Sequence, residues 1–485
     1  MNVAFARVVV LVAGAVILVV ETLATRLVAP YVGLTLESTT AVIGVALAGI
    51  AAGAALGGRW ADVRRPRAVA ATALAVGGLG VLAVRPLVLL VGPAVGAGPV
   101  AAVVLVAVST LPAVTALAVV TPAVTRSRLA SVDGSGAVIG SLSAAGTLGS
   151  LAGTFLTGFV LVALLPMTAI LLVAGAVCLI LALAVARAGR RAVAATAVAA
   201  VATAGALVAV PGRCDVDTVY YCARVEVDAE RPTGRVLVLD DLRHSYVDLA
   251  DPRHLEFAYV RRFAAAVDTA MPPGRLDAVH LGGGGFTLPR WLAATRPGSA
   301  STVLEVDRGV VDLGRRELGL GAVPGLDVRI GDARTTLRAL PDSSADLVVG
   351  DAFGARSAPW HLATTEFVDD VRRVLRPGGV YLLNVIDNDP LALVRAQIAT
   401  LSSRFPHVVA VARPDQLARG GGGNVVLVAA DRPLDLGALQ ARLAALDEPA
   451  VVLDEAATRA LAGGAAPLTD DRAPADQLIT PYRYA

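Results

Sequence analysis

Four consecutive glycines, Gly282–Gly285, stand between an apolar run ending in Leu281 and a segment, Phe286–Ala294, whose apolar residues have helical spacing. That order reads as a strand, a backbone-only turn and a helix. Without Cβ atoms the turn can bring its N–H groups against a ligand. About twenty residues on, a second apolar run, Ser301–Val306, carries Glu305 and is followed by Asp307, where a carboxylate suits two ribose hydroxyls. A structural turn is the plainer reading of the glycines alone; the acidic strand end favours a nucleoside site. Two further acids end later strands. Asp332 follows strand Asp327–Ile330, placed to cap helix Arg334–Leu340, to reach an adenine, or both. Asp351 follows strand Asp346–Gly350 and precedes a glycine-containing loop. There a carboxylate can orient or deprotonate an attacking amine, with loop capping as the alternative. His361, in PWHL, belongs to a loop that should overhang the same site, where an imidazole can take a proton or make ordinary loop hydrogen bonds. His244 and Tyr246 can line the acceptor side or face solvent. Asp470, Asp471 and Arg472 read as a salt-bridged latch near the C-terminus.

The elements that must position these residues alternate. Val219–Val227, Arg235–Leu239 and His244–Asp248 form a small β-meander, and His254–Ala266 is a helix. Beyond the glycine turn come helix Thr365–Leu375, strand Val380–Val385, helix Pro390–Phe405 and late strands His407–Val411 and Val425–Ala429. Such alternation predicts a mostly parallel, doubly wound α/β sheet, whose ligands lie beyond the carboxyl ends of the strands. Gly282–Gly285, Glu305, Asp332 and Asp351 all fall there.

Composition divides the chain. Of 485 residues 55% are hydrophobic and only 17% charged, too apolar for a soluble protein of this length. The uncharged runs fill the chain up to Val210. Ala4–Val28, Thr39–Leu56, Ala68–Val84, Val100–Val120, Ala137–Leu164, Thr168–Val185 and Ala192–Val210 give about seven spans, with Arg85–Gly98 either re-entrant or the tail of a longer helix. The expected architecture is a multi-span α-helical membrane domain over 1–211, a β-meander and linking helix over 212–274, and a nucleoside-binding Rossmann-like domain over 275–485. Arg59, Arg64, Arg65 and Arg67, Arg126 and Arg128, and Arg187, Arg190 and Arg191 mark three loops as cytoplasmic. A seventh span would deliver the globular domain outside; a surface-lying Ala192–Val210 would keep it inside. The loop GGRWADVRRPR resembles the second-to-third-helix loop of major-facilitator transporters, with only about half their helix count. Glycines of Gly134–Gly158 point to close helix packing.

A net charge of +2 and the lack of a basic stripe argue against a nucleic-acid partner. No Lys occurs, which excludes Schiff-base chemistry and the P-loop lysine. Cys214 and Cys222 have no His or Cys partners at zinc-like spacing, so no metal is expected, and a local disulfide requires an oxidising side.

The order LGGGGF, LEVD, GDA and VVGDAF, preceded by LVLDDLRHSYVDLADPRHLEFAYVRRF, resembles the spermidine synthase (polyamine aminopropyltransferase) family. The apolar half, with DAFGARSAPWHLATTEF and LTDDRAPADQLI, is similar to fused transporter-like/spermidine synthase-like membrane proteins of bacteria. The resemblance implies a class I methyltransferase-like sheet and a cosubstrate that is S-adenosylmethionine or its decarboxylated form. By position it makes Gly282, Gly283 and Gly284 the glycine turn, Glu305 the ribose acid, Asp332 the adenine-side acid, Asp351 the first acid of the catalytic loop and Tyr259 the acceptor-contacting tyrosine. A putrescine-like small-molecule amine acceptor, a lipid bilayer around the helical half and a possible homodimer complete the expected partners. Departures are equally specific: Gly285 and Gly354 stand where the family has acids, and Val260 and Arg261 replace polar residues after the tyrosine. A dication would meet fewer carboxylates here. Two rivals stay open, a methyltransferase and a non-catalytic nucleoside-binding sensor or transport partner.

Overall fold

The computed structural model of the protein describes residues 2–32, 36–96, 99–129, 135–187, 190–209, 214–240, 242–354 and 358–479. Gly98, Gly134 and Val210, which end segments expected above, lie outside them. Two compact units result, Met1–Arg213 and Cys214–Ala485.

In the first unit six helices among the described residues are long and apolar enough to cross a membrane: Val3–Val32, Leu36–Val63, Pro66–Val95, Pro99–Arg128, Ser135–Leu161 and Met167–Ala186. The seventh expected span, Ala192–Val210, is likewise a helix, Arg190–Ala209, with Val198–Val208 apolar among its described residues. Residues 192–209 of that helix carry no charge. Arg85–Val95 is the tail of the long helix Pro66–Val95, which continues through Pro86 and Pro93. Small residues let the helices touch. A Cβ on Gly149 would lie 1.9 Å from the Leu11 carbonyl oxygen, and one on Gly153 2.3 Å from that of Ala15. Arg126 Nε pairs with Asp62 Oδ1 at 3.1 Å and Arg67 Nε donates to the Val185 carbonyl at 2.7 Å, so the three arginine-bearing connections share one end of the bundle. Arg85 Nη1 donates to the Leu207 carbonyl at 2.8 Å. With Arg67 and Arg85 separated by ~27 Å of helix, Arg190–Ala209 runs beside Pro66–Val95 away from that end.

The second unit opens with an antiparallel sheet of β1 (Val216–Asp217), β2 (Cys222–Val227), β3 (Gly234–Leu239) and β4 (Leu242–Asp248). A Cys214–Cys222 disulfide closes its first turn. The larger sheet contains β5 (Asp277–Leu281), β6 (Ala300–Glu305), β7 (Leu326–Ile330), β8 (Ala345–Gly350), β9 (Leu375–Asn388), β10 (His407–Ala412), β11 (Gly422–Ala430) and β12 (Val451–Leu453). Their order across the sheet is β12-β10-β11-β9-β8-β5-β6-β7. From β7 to β9 the neighbours are parallel, whereas β11, β10 and β12 are added antiparallel. The sheet is therefore mixed, because an apolar run announces a strand without announcing its direction. Alternate strand residues feed two layers. On one face Leu347, Val349, Leu382 and Val426 pack on helices Ala258–Ala270, Thr287–Thr295 and Leu436–Ala445. On the other, Val348, Tyr381, Leu383 and Leu427 pack on Thr365–Val374 and Ala392–Ser402.

Candidate active site

A cavity of about 820 Å³ opens at the carboxyl ends of the parallel strands and is roofed by β4 of the small sheet. The glycine turn forms its floor. Gly282 and Gly284 have φ of 90° and 50°, a region that strains other residues. A Cβ on Gly283 would come within 2.7 Å of the Phe286 ring and 3.2 Å of Glu305 Oε2. The Gly283 N–H donates to Glu305 Oε2 at 2.7 Å and the Asp307 N–H to Oε1 at 2.9 Å, which holds the carboxylate flat beneath the turn. Burial pushes the Glu305 carboxyl above its usual range, opposed by these two N–H donors. Each oxygen keeps a second lone pair for a hydroxyl. Gly285 N–H is taken by Ser245 Oγ at 2.8 Å, which ties the turn to the small sheet.

Asp332 caps helix Ala333–Arg338 through the Thr335 N–H at 3.0 Å and also meets His361 Nε2 at 2.7 Å. Partial burial raises its carboxyl, but the Thr335 N–H and His361 outweigh that and leave it below the usual range. Capping and cavity lining thus coexist. His361, expected to assist Asp351, is instead spent on Asp332, because the 3-10 turn Trp360–Leu362 aims it at the β7 end.

Asp351 is gripped from both sides. Tyr259 Oη donates to Oδ2 at 3.1 Å and Asn384 Nδ2 to Oδ1 at 2.9 Å. Burial nevertheless pushes its carboxyl up to about 7, since two neutral donors do not repay loss of water around a charge. The Tyr259 hydroxyl is raised well above its usual range by burial and by the adjacent Asp351, and so stays protonated as a donor.

His244 lines the cavity, and burial lowers its ring to about 4. Tyr246, expected beside it, points elsewhere: its hydroxyl donates to Asp228 Oδ2 at 2.8 Å and its ring packs on Val236 and Val238. The cause is a register shift in which Leu237 opposes Ser245 but Val238 opposes Arg243, leaving His244 as the extra residue and reversing the alternation. The C-terminal latch forms around a different arginine. Arg334 holds Asp470 through both oxygens at 2.7 and 2.6 Å, and Thr364 adds a bond of 2.7 Å. Sequence reasoning missed Asn384, Asn424 and Ser245, which carry no motif, and Tyr220, whose hydroxyl is raised by burial and by Asp307, Asp332 and Glu305. Among the described residues one trio groups metal-type ligands, Cys214, Asp217 and Cys222, and its two sulfurs are joined to each other.

Sheet, glycine turn and strand-end acids define a Rossmann-like unit of the methyltransferase type. No family model matches the chain. A stretch is similar to the polyamine aminopropyltransferase of Vibrio vulnificus, 30% identical over 148 residues, covering 30% of this chain and 48% of that protein. Spermidine synthase 1 of Pisum sativum is 28% identical over 151 residues, 30% of this chain and 43% of that protein. The chain thus spans about half the length of the curated relatives it matches. Among solved structures, a probable spermidine synthase from Corynebacterium glutamicum superposes with a TM-score of 0.50 at 29% identity, over 53% of this chain and 95% of that one.

Proposed function

We propose that the protein is a membrane-anchored transferase that moves an aminopropyl group, or a related alkyl group, from decarboxylated S-adenosylmethionine to an amine. The observation that carries this is the carboxyl of Asp351, poised near neutrality between Tyr259 and Asn384 and next to the glycine turn. Glu305 would hold the ribose and Asp332 the adenine side. In the reaction a neutral amine attacks the carbon bonded to the sulfonium; the C–N bond forms as the C–S bond breaks. Methylthioadenosine leaves with the electron pair of that bond. Asp351 takes the proton that the new ammonium sheds, for which a pKa near the working pH is well matched. Positioning supplies most of the acceleration in such a displacement. The test is incubation of detergent-purified protein with the cosubstrate and an amine mixture, with products read by mass spectrometry. Methylthioadenosine together with an alkylated amine is the expected result; consumption of neither reactant would overturn the reading.

One observation favours a second reading, a nucleoside-binding sensor on the outer face. The helix Arg190–Ala209 flanks Pro66–Val95 away from the arginine-rich end, so the chain would emerge opposite the loops that positive charge assigns to the cytoplasm. An oxidising compartment would also suit the Cys214–Cys222 pair. Labelling of single surface cysteines in intact cells with a membrane-impermeant maleimide separates the two: a protected globular unit supports the transferase, a labelled one the sensor.

A further inference from the structure

Sheet order lays the cavity out as a line. Glu305 ends β6, the glycine turn follows β5, Asp351 follows β8, and Asn384 and Asn424 stand on β9 and β11. With strands ~4.8 Å apart, Asn424 lies on the far side of Asp351 from the ribose acid. Register places Asn384, Ile386, Val426 and Asn424 on one face, since Asn424 opposes Ile386 and Val426 opposes Asn384. This is the half of the cavity that an acceptor would occupy.

Three polar atoms of that half have no hydrogen-bond partner in the protein. Asn384 is 2% exposed, and with its amide nitrogen donating to Asp351 its Oδ1 is left with no partner. Asn424 Oδ1 and Arg261 Nε, from residues that also line the cavity, are likewise buried without a hydrogen bond. A buried polar atom left unpaired is costly, and its natural complement is a ligand. Near Asp351 the missing partner is an N–H donor, as a neutral amine provides.

Charge identifies the other end of that ligand. Arg262, fully buried, donates to the Asn424 carbonyl at 2.5 Å and to Glu448 at 2.9 Å. Arg261 shares the same Glu448 at 3.2 Å. Two guanidiniums against one buried carboxylate leave a positive excess at the β11 end. Glu256 also lines the cavity, but its carboxylate is about half exposed and turned to His254 at 3.2 Å. An ammonium tail would be repelled there in a medium that screens poorly.

We propose that the acceptor is a primary amine with an uncharged or anionic hydrogen-bonding tail, an amino alcohol or ω-amino acid, and not a diamine. Arg261 and Arg262 set the preference against a cation, and Asn424 receives a donor on the tail. This deepens the transferase reading by naming the substrate class of the same site, yet it can be measured without turnover.

The experiment compares 4-aminobutan-1-ol, 4-aminobutanoate and 1,4-diaminobutane, which share chain length and differ only in the tail. Each is titrated calorimetrically into full-length protein in detergent, with and without saturating methylthioadenosine. At least one of the first two should bind about tenfold or more tightly than the diamine. A diamine that binds equally or better overturns the proposal, as does binding of none of the three. In Arg261→Gln, which leaves Arg262 balanced by Glu448, the preference should shrink towards parity; an unchanged preference would remove the arginines as its cause. The predicted ranking without alkyl transfer to any amine would uphold the tail preference and sink the transferase reading, so the two failures are distinguishable.

Discussion

The two ends of the cavity are built on different principles. The proposed nucleoside end is made from short sequence motifs: a glycine turn, one acid that ends a strand, Glu305, and one two residues past a strand, Asp332. Its polar groups already satisfy one another, as in Gly283 with Glu305 and Asp332 with His361. The proposed acceptor end gathers Tyr259 from a helix, Asn384 and Asn424 from separate strands and Asp351 from a loop, and it leaves several polar atoms unpaired. A site that is complete without its ligand is organised for one shape. Unpaired atoms instead state what the missing ligand must bring.

Substitutions can break or sharpen that contrast. Asp351→Asn removes the proton acceptor while keeping the shape, and should lower turnover by about 10²- to 10⁴-fold with nucleoside affinity nearly unchanged; single-turnover mass spectrometry and nucleoside titration check it together. Glu305→Gln should do the reverse. Losing a charge-assisted contact weakens nucleoside binding by about 10- to 100-fold, and calorimetry with methylthioadenosine reads it. Asn384→Leu is milder, raising the acceptor KM about tenfold through the lost amide while sparing the nucleoside; equal losses for both ligands would show that the two ends are not separate.

The smallest effect concerns stability. The Asp351 carboxyl titrates near 3.8 when exposed and near 7 when folded. Between those values the folded chain holds a proton that the unfolded chain has released, so this residue's contribution to stability falls as pH rises through the window. Asp351→Asn should therefore raise Tm relative to the parent at pH 8 and leave it unchanged near pH 3.5. Scanning fluorimetry at the two pH values decides.

Glycine use makes the same point in the helical unit. Gly149 and Gly153 are needed because carbonyls of a neighbouring helix would overlap any side chain, whereas Gly282 and Gly284 are needed for their backbone angles. Spacing distinguished these roles in advance, since one set recurs within a long apolar run and the other interrupts a strand and a helix. The strand-end acids were legible for a similar reason: a strand's last residue is marked by the end of its apolar run. Three things were not. Tyr246 turned away because a single extra residue in β4 reversed the alternation, which pattern alone does not register. His361 chose Asp332 over Asp351 because a short turn aims it, and the turn's direction depends on what it packs against. Helix Arg190–Ala209 could lie on a surface or span by its composition, and only packing set it beside Pro66–Val95.

What the sequence by itself determined was the set of local segments, the division into an apolar and a charged half, and the turn and acids of the proposed nucleoside end. These follow from periodicity and from backbone rules that act over a few residues. Only tertiary structure decided the direction of the last three strands, the partner of each buried carboxylate and the company kept by Arg261, Arg262 and Glu448. Those depend on which distant strands become neighbours, and burial then amplifies every charge and every unpaired polar atom that the meeting creates.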